Sequence, residues 1–151
     1  MKRTLLIVTF TCILFFISLN SFSPAGNAGI VGDILIHTNQ FRKSKSLEVL
    51  IMQHDLNAIA QKHSADMASE RVGFGHGGFE KRTILAGKKI RSMHSFAENV
   101  AYGATSGKQA VTIWKNSSGH RRNMLGRFKY IGIGVAKDKR GRIYYTQIFA
   151  G

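Results

Sequence analysis

The chain of 151 residues has one cysteine, one proline, one tryptophan and only eight acidic residues. A single cysteine cannot form a disulfide framework. It sits at Cys12, inside an uncharged apolar run, so the rest of the chain has neither a cross-link nor thiol chemistry. Stability must come from a packed core. The chain has no fibrous repeat and no low-complexity tract, and its 44% hydrophobic content excludes wholesale disorder. Neither an H-E-x-x-H pair nor a serine in a strained G-x-S-x-G turn is present. The shortage of acid leaves 22 Lys and Arg against eight Asp and Glu, a formal charge of +14. It is still +12 if Lys2 and Arg3 are lost with a leader. Such a field favours anionic partners such as envelope polymers or acidic lipid head groups. The basic residues are scattered, however, and solubility alone is an equal explanation.

The N-terminus differs in kind from the rest of the chain. Lys2 and Arg3 precede Leu5 to Leu19, which carries no charge, and small and polar residues continue through Ala28. This is the layout of a secretory signal peptide over residues 1–28, with cleavage after Ser23, Ala25 or Ala28. A retained signal anchor is the alternative, but a spanning helix needs about 20 apolar residues, and Asn20 and Pro24 cut this run short. Residues 29–151 then form a single domain. Export also removes the chain from the genome, which disfavours nucleic acid as a partner.

Helical and extended patterns alternate along that domain. Between Asp33 and Ser44, Ile34, His37 and Phe41 share a helical face. Leu56, Ile59, Ala60, His63 and Met67 predict a helix over 54–71. Arg71 to Phe79 holds four glycines in nine residues and reads as a loop. Ser106 to Gln109 is a capping box opening a helix that carries Ala110, Ile113, Trp114 and Ser117. Tyr130 to Ala136 and Ile143 to Phe149 read as strands joined by a turn, with Gly141 free to take positive φ. The second strand is apolar on both faces, with Ile143, Tyr145 and Phe149 on one and Tyr144 and Ile148 on the other. A strand of that kind is covered on both sides. The pattern implies an α+β domain built as a three-layer α-β-α sandwich around a mainly antiparallel sheet.

Of the histidines, His37, His54 and His63 fit as packed or solvated helix residues, and His94 has no chemical context. His76 stands among Gly75, Gly77 and Gly78, where no helix or strand demands a large side chain, so a ligand or catalytic role is natural there. His120 comes after Trp114 and the serine pair, past a helix end, with Gly119 as the expected chain reversal. Glu98 lies within an apolar stretch, where a carboxylate is costly unless paired or hydrogen-bonded. Two histidines and a carboxylate suffice to hold a divalent metal with an open position.

Several blocks resemble the CAP superfamily (cysteine-rich secretory proteins, antigen 5 and pathogenesis-related 1), in particular its short bacterial secreted members. They are HTNQFRKSKSL, AQKHSADMA, a histidine after the glycine-rich turn, AENVAYG, WKNSSGHRRNML and the closing YIGIGVA…YYTQIFAG. The resemblance covers about residues 32–151. It implies an α-β-α sandwich with an open cleft that gathers two histidines and two acids. His76, His120 and Glu98 match three of these. The second acid, three residues after Trp114, is Ser117 here, as is common in bacterial relatives, which weakens any mechanism needing paired carboxylates. Ala97 replaces a frequent glycine.

Family members have been linked to divalent metals, to sterols and lipids, and to disputed proteolysis. The first expectation is therefore an extracytoplasmic binding module with an unknown ligand. His76 and His120 would hold a metal, zinc being preferred, and Glu98 would orient one imidazole or ligate directly. One alternative is a metal-dependent hydrolase with Glu98 as the base, although no complete catalytic constellation is present. Another is a binder of anionic envelope polymers through Arg121, Arg122, Arg127, Lys129, Lys137, Lys139, Arg140 and Arg142. Trp114 is expected in the core. Asn123 is expected to cap a turn or tie the histidine loop to the sheet, and Gln147 to face the cleft or satisfy a buried backbone group.

Overall fold

The computed structural model describes residues 24–151. Among these, five helices and four strands succeed one another: α1 (Pro24–Lys43), β1 (Ile51–Met52), α2 (His54–Ala68), α3 (Phe79–Lys89), β2 (Phe96–Tyr102), α4 (Gly107–Asn116), α5 (Ser118–Met124), β3 (Tyr130–Lys137) and β4 (Ile143–Ala150). The sheet order is β1-β3-β4-β2, with β1 parallel to β3 and the other pairs antiparallel. Helices cover both faces, as the apolar character of both sides of β4 requires. The sandwich is therefore an open, mainly antiparallel sheet between two helical layers.

One face of the sheet sends Ile131, Ile133, Val135, Tyr145 and Phe149 into a core shared with Ile34 of α1, Trp114 of α4 and Met124 of α5. On the other face Ile148 and Ala150 pack with Leu56 and Ala60 of α2 and Ala86 of α3. Between the apolar positions β3 carries Gly132 and Gly134, and α2 lies directly on them. A Cβ at Gly134 would overlap the Ala60 carbonyl carbon, and one at Gly132 would overlap that of Leu56. The glycines thus set how closely α2 approaches the sheet.

Beyond the short β1, the exposed side of β3 is capped by side chains. Asn57 Oδ1 accepts from the Ile133 amide at 2.8 Å, and Gln61 Oε1 accepts from that of Val135 at 2.9 Å. This saturates an edge that would otherwise invite pairing with another strand.

Local signals place the helices. The Gln53 side chain caps α2 by accepting from the amides of Asp55 and Leu56. Ser106 accepts from the Gln109 amide at 3.2 Å, and Gln109 Oε1 reaches back to the Thr105 amide at 2.7 Å. The capping box is therefore present, with its return bond one residue earlier than the usual N-cap amide. Gly141 takes φ +83° in the β3–β4 turn.

Three sequence expectations need correction, and one helix goes unforeseen. The first helix starts at Pro24 rather than near Asp33 and buries Ile34, Thr38 and Arg42. Pro24 suits the first helical position, where its missing N–H costs nothing. Helix α3 shows no clear apolar period, because its buried residues are Arg82 and Ala86. The reversal before His120 is made at Ser117 (φ −96°, ψ 125°), and Gly119 and His120 lie within α5. Ile113 is not part of the buried face of α4, being 40% exposed. Most of the expected leader, residues 1–23, lies outside the described residues, as does Cys12. Among the described residues no helix is long and apolar enough to cross a membrane.

Candidate functional site

The site is built around a carboxylate. Glu98 points from β2 toward the α2–α3 layer and is only 3% exposed. Arg82 of α3 meets it at two points: Nε donates to Oε2 at 2.6 Å and an Nη2 hydrogen donates to Oε1 at 2.8 Å. His76 Nδ1 also lies 2.9 Å from Oε1, and His63 Nε2 is 3.9 Å from the same oxygen. The buried charge is thus fully compensated, as burial of a carboxylate demands. Sequence reasoning misses Arg82. An arginine on a surface-like helix gives no sign of burial, although Glu98 in an apolar stretch does call for a partner.

The same side chains hold the glycine-rich loop in place. Arg82 donates to the carbonyls of Gly77 at 2.8 Å and His76 at 3.4 Å, and His63 Nε2–H donates to that of Gly75 at 2.9 Å. Gly75 (φ +136°) and Gly78 (φ +77°) supply the conformations that turn these carbonyls inward. The His76 side chain is 49% exposed, so its ring stands in solvent with only Nδ1 engaged. The proton on Nδ1 is shared with Glu98, which leaves Nε2 as the free lone pair of the neutral ring. His63 is the packed helix residue that its spacing predicts, and it also forms the floor of the site. Burial lowers its pKa, and the Arg82 charge adds to that.

His120 comes from the opposite layer, on α5. Burial lowers its pKa, and the charge of His76 contributes in the same direction. Its Nδ1 is buried with no hydrogen-bond partner among the described residues. A polar ladder through the protein positions α5. Gln147 Nε2 donates to Thr38 Oγ1 at 2.8 Å, and Asn99 Nδ2 donates to Gln147 Oε1 at 3.3 Å and to the His120 carbonyl at 3.1 Å. Asn123 Nδ2 donates to the Glu98 carbonyl at 3.1 Å and to Asn99 Oδ1 at 2.9 Å. Asn123 therefore ties the His120 helix to the edge strand. Gln147 is wholly buried and bonds side chains, so it neither faces the cleft nor satisfies backbone. Trp114 is also wholly buried, its Nε1 donating to the Val100 carbonyl at 3.2 Å. Ser117 is the hinge between α4 and α5 and makes no side-chain cap.

An open cavity of about 480 Å³ runs along the free edge of β2, lined by His76, Phe79, Phe96, Ala97, Glu98 and Asn123. Phe79 and Phe96 meet edge to face at 5.2 Å beneath it. His120 is not among the lining residues. Among the described residues no three His, Cys, Asp or Glu side chains form a group able to hold a metal ion. The remaining histidines lie elsewhere: His37 between Asp33 and Gln40 on α1, His54 exposed at the start of α2, and His94 exposed before β2.

This arrangement can be set beside known proteins. Residues 35–149 match the model of the CAP, or cysteine-rich secretory protein, family. The chain belongs to this family. A relative in Bacillus subtilis, the uncharacterized protein YkwD, is 31% identical over 76% of this CAP chain and 44% of its own length. The uncharacterized membrane protein YlbC of the same organism is 33% identical over 77% of the chain and 33% of its own length. The CAP chain thus spans less than half of either relative. Among solved structures, an extracellular protein containing a SCP domain from Bacillus anthracis superposes with TM-score 0.69 at 30% identity, over 81% of this chain and 40% of that one. An outer surface protein of Borrelia burgdorferi shares the fold, with TM-score 0.64 at 20% identity over 79% and 92% of the two chains.

Proposed function

We propose that this CAP domain is an extracytoplasmic binding module that takes its ligand at His76 in the cleft along β2, with His120 of α5 as a second contact from outside that lining. The observation that carries this reading is the state of Glu98. Both of its oxygens are committed to Arg82, and Oε1 also to His76, so it acts as a buried anchor that fixes one imidazole. A base that activates water needs a free oxygen facing the substrate. The hydrolase reading therefore finds no support here. An outside location draws on the leader-like N-terminus and on the extracellular relative from Bacillus anthracis.

The donor set fits a modestly held divalent ion, not a three-ligand centre. Zinc suits two neutral imidazoles, with solvent completing its shell. His76 Nε2 is the available nitrogen on one side, and the lowered pKa of His120 keeps its ring neutral and able to ligate. When bound, the ion would offer an open coordination position to an anionic or carbonyl-bearing ligand. The exposed basic residues from Arg121 to Arg142 would add weak, unspecific attraction to envelope polymers or lipid head groups.

Calorimetric titration of zinc into the untagged protein tests this reading. His76→Ala and His120→Ala should each lower the affinity at least about tenfold, the scale on which even supporting groups affect metal sites. Glu98→Gln should weaken binding less. Unchanged affinity in the double histidine variant would remove the metal from the account.

A further inference from the structure

Three aromatic rings meet where β2 ends and β4 begins. Tyr102 and Tyr144 are cross-strand partners stacked at 5.9 Å, and Phe74 of the glycine-rich loop meets Tyr102 edge to face at 4.7 Å. Phe74 and Tyr102 are 50% and 48% exposed, an open aromatic face that the core does not use. Arg142 lies beside it, its guanidinium carbon 5.4 Å from the Tyr102 ring centre and 5.5 Å from that of Tyr144. The Tyr145 hydroxyl donates to the Ala104 carbonyl at 2.7 Å, whereas neither the Tyr102 nor the Tyr144 hydroxyl is bonded among the described residues.

A cavity of about 640 Å³ adjoins these rings, between the C-terminal end of α2 and the β3–β4 turn. That size suits a ligand pocket, for which roughly 300–1,000 Å³ is usual. Ala65 and Ala68, in its lining, pack in the same small core cluster as Tyr144 and Val72. The lining carries four cations, Arg71, Lys137, Lys139 and Arg140, against two carboxylates, Glu70 and Asp138. Asp66, outside the lining, is shared between Lys62 and Arg71, and Arg142 adds a further cation, so the surplus stays positive. Asp138 is turned into the hairpin. It accepts from the amides of Arg140 and Arg142 at 2.9 and 2.8 Å and from Arg142 Nε at 3.1 Å, which fixes the turn that presents Lys139 and Arg140.

The two features together select a ligand. Aromatic faces carry partial negative charge and attract the C–H faces of a sugar ring. Free hydroxyls and guanidinium N–H groups pair with the sugar's hydroxyls, and a cationic cavity attracts an acidic substituent. An aliphatic ligand would leave the hydroxyls and the guanidinium unpaired. A cation would meet Arg142 already lying over the rings, and a proline-rich peptide would leave the basic cavity unused. We infer that this surface is a site for an acidic glycan, whose pyranose rings stack on Phe74 and Tyr102 and whose carboxylate enters the cavity beside Lys139 and Arg140. It uses neither His76 nor His120 and requires no metal.

Tetragalacturonate is the probe, titrated into the full protein with amide NMR as readout. Maltotetraose supplies the rings without the acid, tetraglutamate the acid without the rings, and tetraproline a peptide for the aromatic face. Tetragalacturonate should shift the amides of Phe74, Gly103 and Gly141 and bind more tightly than the other three. Salt should reduce its affinity toward that of maltotetraose, since only the carboxylate contribution is screened. Tyr102→Leu should weaken both sugars about fivefold, the scale of an aromatic contact beyond simple burial. Lys139→Gln with Arg140→Gln should bring tetragalacturonate down to maltotetraose and leave maltotetraose unchanged. Both side chains are exposed, and the Arg140 amide that Asp138 holds is backbone, so the turn is kept. Tetraglutamate binding as tightly as tetragalacturonate, tetraproline binding more tightly than either sugar, shifts confined to other surfaces, or full sugar affinity in Tyr102→Leu would overturn the assignment. Zinc affinity of the Lys139→Gln, Arg140→Gln variant should match wild type whichever way the sugar result falls, which separates this site from the histidine cleft.

Discussion

Arg82 and Glu98 clasp one another at two points, 2.6 and 2.8 Å, with the carboxylate side chain fully shielded from solvent. That pair determines both the shape of the glycine-rich loop and the direction of the His76 ring. Arg82→Met would leave the carboxylate uncompensated and should cost about 3–5 kcal/mol of stability, the usual penalty for halving a buried ion pair. Urea unfolding measures it. The double change Arg82→Met with Glu98→Gln should recover a large part of the loss, while zinc affinity stays low because the loop has lost its anchor. A single variant as stable as wild type would mean that the pair is not buried in solution.

The buried His63 and the half-buried His120 predict acid sensitivity. His63 and His120 both have pKa values lowered in the folded state, chiefly by burial. Above the ordinary imidazole value of about 6.5 both are neutral, folded or unfolded, and impose no penalty. Below it the unfolded chain takes up protons first, so stability should fall with pH until the folded-state values are reached. Thermal melts between mildly alkaline and mildly acidic pH should show this decline. His63→Gln, which can still donate to the Gly75 carbonyl, should flatten it in part. A melting temperature that rises on acidification would contradict the burial of these rings.

Gly134→Ala tests the packing of α2 on the sheet. The added methyl would run into the Ala60 carbonyl carbon, and backbone cannot move aside as a flexible side chain could. Overpacking of this kind costs roughly 1–3 kcal/mol, and the direct backbone clash puts the expected loss at the upper end. Chemical denaturation should register it without change to His76 or His120.

Attraction to anionic polymers should depend on salt. The residues Arg121, Arg122, Arg127, Lys129, Lys139 and Arg140 are all exposed, and exposed charges are screened beyond about 8–10 Å at physiological ionic strength. Retention on anionic envelope extracts should fade between low and moderate salt. Salt-independent retention would indicate a specific pocket in place of a diffuse field.

The parts of the fold legible in the sequence are those in which apolar period and burial agree. Leu56, Ala60, His63 and Met67 recur at helical spacing, and the same residues face the sheet. The β3–β4 hairpin is legible from its alternating glycines and its charged turn. Helix α3 is not, because it buries Arg82 and Ala86 while Ile84 and Leu85 stay exposed, inverting the usual pattern. The site divides in the same way. His76 and Glu98 stand out because each occupies a position its surroundings do not favour. Arg82, His63 and Asn99 do not, since their importance lies in contacts between residues 16 to 48 positions apart. Gln147 looks available to the cleft only because a strand residue gives no sign of which layer covers it.

The central claim is that Glu98 orients His76 so that Nε2 is the nitrogen presented to a ligand. Long-range proton–nitrogen NMR of the His76 ring, with and without zinc, tests it most directly. The account predicts a ring protonated at Nδ1 at neutral pH, with the Nε2 resonance moving on zinc addition and Nδ1 keeping its proton. A ring protonated at Nε2, or one whose nitrogens ignore zinc while the rest of the protein responds, would contradict it.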